Sequence, residues 1–224
     1  MGKAIRRYIN GLKEAKKVFR YIFIAIIIIN SLFFFNINRI LILVFDLFLL
    51  LKIFFTINFF RKPFLREKYK KGVIYSPAEG RILSIKEVRE NTYLKKKAYR
   101  IFIFMNIFNV HRNNIPVNGI IEGVEYKKGS FKAAFKEVEE SNERSIIKIK
   151  AGNDKFLVKQ IAGLIARRII TNIKKGDKVK AGDEFGYITF GSAVIIYIPL
   201  NYKLLVKERE RVFSGYTELA KLKK

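Results

Sequence analysis

A Gly-Ser pair at 191–192 stands between two runs of strand character, 187–190 and 193–197, rich in β-branched and aromatic residues. Glycine inside a strand costs stability and usually marks a bulge, a bend or a close approach to the backbone. Here it also has a chemical use. With no Cβ on Gly191 to hinder approach, the Ser192 hydroxyl can attack the carbonyl carbon of its own preceding peptide bond and give an ester. A hydroxyl needs a base for that step, and the base needs a third group to orient it. His111 is the only imidazole in the chain. It follows a strongly hydrophobic run, 101–110, and precedes Arg112-Asn113-Asn114, which places it at a strand end, and a reference pKa of about 6.5 suits a neutral base near pH 7. Taken singly, a lone histidine is an ordinary hydrogen-bonding side chain and Gly-Ser an ordinary turn.

The elements that must hold these residues follow from composition. The chain has 224 residues, half of them hydrophobic, no cysteine, no tryptophan and a formal net charge of +26. That length allows one ordinary domain with its own core plus an accessory segment. Without cysteine there is no disulfide framework, thiolate metal site or cysteine nucleophile, and a single histidine excludes a multi-histidine metal centre, so no metal is expected. The basic excess has to face nucleic acid, an anionic membrane surface or solvent.

Residues 21–35 and 40–60 are almost wholly apolar and are separated only by Asn36-Ile37-Asn38-Arg39. The second is long enough to cross a hydrocarbon core, and the first lies near the lower limit of about 17 residues. Lys and Arg crowd the outer flanks, 3–20 and 61–71, while the loop holds only Arg39. The positive-inside rule then puts both ends in the cytoplasm and predicts a transmembrane helical hairpin at the cell membrane. The expected organisation is a basic cytoplasmic N-terminus at 1–20, the hairpin at 21–60, a basic linker at 61–72 and a β domain at 73–224 on the cytoplasmic side. A cleaved signal peptide does not fit two apolar segments with no small-residue cleavage site, and a soluble helical hairpin would need a polar face that Asp46 and Lys52 alone do not make. Much of the positive charge then meets anionic lipid.

From Val73 onward, short runs at 73–75, 81–85, 99–104, 146–150, 155–162 and 187–198 read as strands between glycine, proline and charged turns, the texture of an all-β sandwich or partly closed barrel. The turn Pro77-Ala78-Glu79-Gly80 is echoed by Pro116-Val117-Asn118-Gly119, each feeding a strand. Residues 160–168 fit strand or helix equally well. Gly-Asp turns at 176–177 and 182–183 resemble those of the barrel-sandwich, lipoyl- and biotinyl-like architecture, so the fold class expected is mainly β, a barrel-sandwich behind a membrane hairpin.

Several stretches, in order along nearly the whole chain, carry a more specific resemblance: Phe59-Phe60-Arg61-Lys62-Pro63, Ser76-Pro77-Ala78-Glu79-Gly80, the run 104–111 ending at His111 with Pro116 downstream, Asn142-Glu143-Arg144, the run 160–168, and Phe190-Gly191-Ser192. Together with the hairpin they resemble the short, membrane-anchored form of the phosphatidylserine decarboxylase family. The resemblance implies a proenzyme cut between Gly191 and Ser192 into a large chain, 1–191, and a small chain, 192–224, that stay associated. Ser192 would become a pyruvoyl group, the only cofactor, whose carbonyl forms a Schiff base with the head-group amine of a serine phospholipid and draws electrons from the breaking Cα–carboxylate bond. His111 matches the family's motif histidine, and Glu79 takes the place of its aspartate, orienting the imidazole as in a serine-hydrolase triad. Glutamate is one methylene longer than aspartate, and with no second histidine His111 would serve both self-cleavage and decarboxylation. Arg112, Arg144, Arg167 and Arg168 are the basic side chains available for the lipid's carboxylate or phosphate. A non-catalytic, membrane-anchored barrel-sandwich adaptor is the alternative function. No nucleic-acid partner is expected, since no helix-turn-helix, zinc finger or aromatic RNA-binding signature is present.

Overall fold

Isoleucine, leucine and phenylalanine fill both apolar stretches without a proline or glycine among them, and in the computed structural model residues 21–31 of the first and all of the second are helical. The structure describes residues 2–31, 39–132, 140–164, 168–188 and 192–223. It divides into two units, Met1–Lys62 and Pro63–Lys224. In the first, α1 (Gly2–Ser31) runs through the basic N-terminal stretch into the first apolar one, and α2 is Arg39–Phe60. The two helices touch each other. Asp46, the acidic side chain in α2, accepts from Asn30 Nδ2 of α1 at 3.2 and 3.3 Å, which satisfies a carboxylate in an otherwise apolar setting. Ile42, Leu49 and Thr56 are buried at intervals of seven residues, a single stripe, while most other α2 side chains face outward. α2 is long and apolar enough to cross a membrane; the apolar part of α1, Val18–Ser31, is shorter than that.

The second unit is mainly β, as the sequence predicts. Its strands are β1 (Val73–Tyr75), β2 (Gly80–Glu90), β3 (Lys96–Met105), β4 (Arg112–Asn114), β5 (Gly119–Lys127), β6 (Arg144–Ala151) and β7 (Asp154–Ala162). They continue with β8 (Ile169–Thr171), β9 (Lys178–Val179), β10 (Glu184–Ile188), β11 (Ser192–Pro199), β12 (Tyr202–Leu204), β13 (Arg211–Val212) and β14 (Glu218–Leu222). An antiparallel sheet of order β13-β2-β3-β11-β7-β6-β5-β9 curls into a half-barrel, with bulges in β2 between Ile82 and Ser84 and in β5 between Ile121 and Gly123. Two small sheets, β4-β10-β8 and β1-β14-β12, complete the unit. The central strand β11 is buried along its whole length. Val194, Ile196 and Ile198 pack with Ile101, Ile103 and Val158 in one cluster, and Ala193, Ile195 and Tyr197 pack with Phe102, Leu157 and Ile161 in another. Burial on both faces explains why this stretch is continuously apolar instead of alternating.

The proline-glycine echo has a common cause. Gly80 and Gly119 each open a strand pressed onto a neighbour, and a Cβ would lie 2.1 Å from Phe104 O at the first and 2.4 Å from Lys150 O at the second. The two Gly-Asp turns are also alike. Asp177 Oδ2 accepts from Lys174 N at 2.9 Å and Asp183 Oδ2 from Lys180 N at 2.8 Å, while Gly176 and Gly182 take φ of 95° and 87°.

The structure corrects one expectation. The strand predicted over 187–198 is two strands in different sheets: β10 ends at Ile188 between β4 and β8, and β11 begins at Ser192 between β3 and β7. Both halves have strand composition, so local pattern could not separate them; only their partners differ. Of the ambiguous run 160–168, residues up to Ala162 are strand, and 165–167 lie outside the described residues.

Candidate active site

Strand register brings the predicted residues to one end of the large sheet. Ser192 opens β11 opposite Met105 at the end of β3 and Ala162 at the end of β7. β2 enters the sheet at the same level, with Arg81 opposite Phe104, and β13 places Val212 beside Gly80. The turns at 76–80 and 106–111, residues 163–164 and the residues after Val212 therefore gather around the start of β11. Gly191 lies outside the described residues.

Glu79 is set by the turn that carries it. Ser76 N donates to Thr217 O at 2.9 Å, Gly215 N to Ser76 O at 2.7 Å, Asn114 N to Pro77 O at 3.0 Å, and Ser214 Oγ to Pro77 O at 3.1 Å. Gly80 then admits no side chain at all, because of Phe104 O. The Glu79 side chain is buried, and Oε1 accepts from Asn109 Nδ2 at 3.4 Å with Arg211 Nη2 at 3.8 Å.

His111 is buried as well. Its Nδ1 lies 2.9 Å from the Asn109 carbonyl oxygen, which can only accept, so in the neutral ring Nδ1 carries the proton and Nε2 keeps the lone pair of a base. Asn109 is itself held in a tight turn, its N–H donating to Asn106 O at 3.0 Å and its Oδ1 accepting from Asn106 N at 2.9 Å. One residue thus links the two predicted groups: its backbone oxygen sets the imidazole tautomer and its side-chain amide reaches Glu79.

The Ser192 side chain is buried, and its hydroxyl donates to Met105 Sδ at 3.6 Å instead of to an imidazole nitrogen. A thioether is a weak acceptor, so the hydroxyl is held without being committed. Asn113 Nδ2 reaches the same sulfur at 3.9 Å and Pro77 O at 3.3 Å. Behind it runs a buried polar chain: Gln160 Nε2 donates to Asn113 Oδ1 at 2.8 Å, Thr171 Oγ1 to Gln160 Oε1 at 3.0 Å, and Ser145 Oγ lies 2.9 Å from Thr171 Oγ1. Asn109, Asn113 and Gln160 were not singled out from sequence. The available signal was polar side chains in runs whose neighbours are apolar, since buried amides must be satisfied.

A family model described as phosphatidylserine decarboxylase matches residues 52–220. The chain belongs to the phosphatidylserine decarboxylase family. It is 43% identical over 171 residues to a phosphatidylserine decarboxylase proenzyme of Parabacteroides distasonis, covering 75% of this chain and 78% of that one. A proenzyme of Carboxydothermus hydrogenoformans is 44% identical over 183 residues, 81% and 84% of the two chains, and one of Ehrlichia chaffeensis 44% over 169 residues, 74% and 75%. The matched segment takes in Glu79, His111 and Ser192.

The arginines of this phosphatidylserine decarboxylase family member are placed differently from one another. Arg112 is buried and pairs with Glu184 Oε1 at 2.6 Å. Arg144 Nη1 donates to the carbonyls of Glu140 at 2.8 Å and Asn142 at 3.0 Å, which shapes the approach to β6. Arg168 is exposed, and Arg167 lies outside the described residues.

Proposed function

We propose that the protein cuts itself between Gly191 and Ser192, converts Ser192 to a pyruvoyl group and then decarboxylates the head group of a serine phospholipid. The observation that carries this reading is the Ser192 hydroxyl, buried on a soft acceptor where the chain leaves one sheet for another, at the same sheet end as the sole histidine, whose Nδ1 is held on the Asn109 carbonyl. In self-cleavage, His111 Nε2 takes the proton from Ser192 Oγ after rotation about χ1, and Oγ attacks the Gly191 carbonyl carbon. The C–N bond breaks and leaves an ester with a free amine on residue 192. Loss of the Cα proton expels the Gly191 carboxylate and leaves dehydroalanine; water then adds as ammonia departs. The Asn109 carbonyl and, through the Asn109 amide, the Glu79 carboxylate stabilise the imidazolium that forms.

The site fits the product. A pyruvoyl group is small and uncharged, and position 192 is lined by Met105 and the short side chain of Ala162. Such a group supplies a carbonyl that takes the substrate amine and withdraws electrons as carbon dioxide leaves. His111 is the base and acid at hand for protons in that step too. The relatives' name of proenzyme agrees with a precursor that is cut. The small chain, 192–224, would stay with the large one because β11 lies between β3 and β7. The helices at 2–31 and 39–60 act as a membrane hairpin with both ends cytoplasmic, given the Lys and Arg on their outer flanks. The interlocked Gly-Asp turns favour a barrel-sandwich reading of the β unit.

Intact mass and denaturing electrophoresis test the proposal. Wild type should give two chains, the smaller carrying the mass change of serine to pyruvoyl, and Ser192→Ala one uncut chain. A Ser192→Ala variant that still splits at this bond would overturn it.

A further inference from the structure

Ser192 is fully buried, yet a membrane phospholipid keeps its acyl chains in hydrocarbon while its head group reacts. The end of the sheet that holds Ser192 carries large apolar side chains pointing to solvent on separate loops: Phe108 is 63% exposed, Leu164 67% and Phe213 39%. Phe108 lies between Met105 and His111, Leu164 just beyond Ala162, and Phe213 just beyond the β13 strand that flanks Gly80, so the loops ring the start of β11. Exposed leucines occur singly on most surfaces, but a set on converging loops around one site is a different feature. Basic side chains alternate with them. Arg168 and Lys132 are exposed, and the Arg211 guanidinium lies 5.1 Å over the Phe213 ring with its side chain 63% exposed. Acids around these loops have partners: Glu79 with Asn109 and, at 3.8 Å, Arg211, Glu140 with Arg144 and Glu143 with Tyr126. Residues 65–66 also join this end, because Arg66 Nε donates to Tyr216 O at 2.6 Å and Leu65 packs against Gly215.

We infer that this rim is a bilayer-contact surface: Phe108, Leu164 and Phe213 enter the acyl-chain boundary of an anionic leaflet while Arg168, Lys132 and Arg211 meet lipid phosphates, which seats the Ser192 mouth on the membrane. Long basic side chains beside apolar ones suit that interface, each contributing attraction to an anionic surface. The inference rests on the reading of the substrate as a phospholipid and of α2 as a membrane anchor.

The chain has no tryptophan, so Phe108→Trp, Leu164→Trp and Phe213→Trp each create a single tryptophan, excited selectively at the red edge beyond tyrosine absorption, in the full-length protein. Ile120→Trp, at an exposed position on the opposite end of the sheet where β5 meets Lys150, is the control. The probe is a vesicle of phosphatidylglycerol and phosphatidylserine with or without bromine on the upper acyl chain. The rim predicts blue-shifted emission and strong bromine quenching for the first three variants and neither for the control. Flotation reports the anchor separately: protein that floats without quenching at the rim overturns the rim alone, and protein that does not float overturns both. A blue shift without quenching that grows with protein concentration would assign the rim to a second copy instead. In a second arm, Leu164→Asp should raise KM for vesicle-borne phosphatidylserine about tenfold, the loss of one buried leucine, with kcat and turnover of a dispersed short-chain substrate unchanged. An unchanged KM in an active Leu164→Asp enzyme would also overturn the rim, whereas a wild-type enzyme that turns over neither substrate would fail the decarboxylase reading and leave the quenching result to decide.

Discussion

At the scale of residues, the notable feature is that Asn109 mediates between an acid and a base. Its carbonyl holds His111 Nδ1 and its amide holds Glu79, so the glutamate has a partner within its reach. If Glu79 acts through Asn109, Glu79→Gln and Asn109→Ala should each slow self-cleavage by orders of magnitude, the scale of asparagine substitutions in hydrolase triads, and the double variant should be little worse than either. Time-resolved electrophoresis after cell-free synthesis checks this; additive losses would mean that the two residues act separately. His111→Ala should stop cleavage outright, because the chain has no other imidazole to take its place.

At the scale of elements, the site depends on how closely β2 meets β3. Gly80→Ala would push a methyl to within 2.1 Å of Phe104 O, backbone that cannot swing aside. A loss of about 1–3 kcal/mol is expected, read as a Tm lower by several degrees, with slower processing because Glu79 is the adjoining residue. The far end of the same hairpin is closed by Glu90, which accepts from Thr92 N and Tyr93 N at 2.8 Å, Leu94 N at 2.6 Å and Thr92 Oγ1. Burial alone would raise its pKa, but these hydrogen bonds together outweigh it and hold the carboxyl below the usual glutamate range. Since the folded value is the lower one, the stabilisation is present above the unfolded pKa of about 4.3 and is lost as pH falls through the folded value. Glu90→Gln should cost about 1–3 kcal/mol at pH 7 and flatten the decline of Tm in acid. A Tm that declines as steeply in the variant would assign the acid sensitivity elsewhere.

At the scale of the whole molecule, cleavage after Gly191 would cut the chain without cutting the fold. The segment 192–224 supplies the middle strand of the large sheet, and β14 pairs with both β1 and β12. A further clasp comes from the large chain: the Arg66 guanidinium lies 4.9 Å from the Tyr216 ring and 5.4 Å from that of Tyr75, and it pairs with Glu218 at 3.1 Å. The two chains should therefore co-elute from a native column in mild detergent and part only in denaturant, and Arg66→Ala should lower the denaturant needed. Chains that separate without denaturant would contradict this. Recovery should be from the membrane fraction, with release requiring detergent.

What the sequence determined by itself is what local chemistry controls. An apolar run without breakers becomes α2, a run buried on both faces becomes β11, and repeated Gly-Asp pairs become repeated turns whose aspartates close on their own backbone. Ser192 and His111 stand out as candidates in the sequence because a Gly-Ser pair between strand-like runs and a sole imidazole are conspicuous by residue type alone. Tertiary structure alone decided which strand lies beside which. The division of 187–198 between two sheets, and short strands such as β8, β9, β12 and β13, depend on hydrogen bonds to partners distant in sequence, so composition carries no trace of them. The same holds for the bridge through Asn109 and the chain from Asn113 to Ser145, since an amide's role is set by what the fold places within 3 Å of it, and that follows from register.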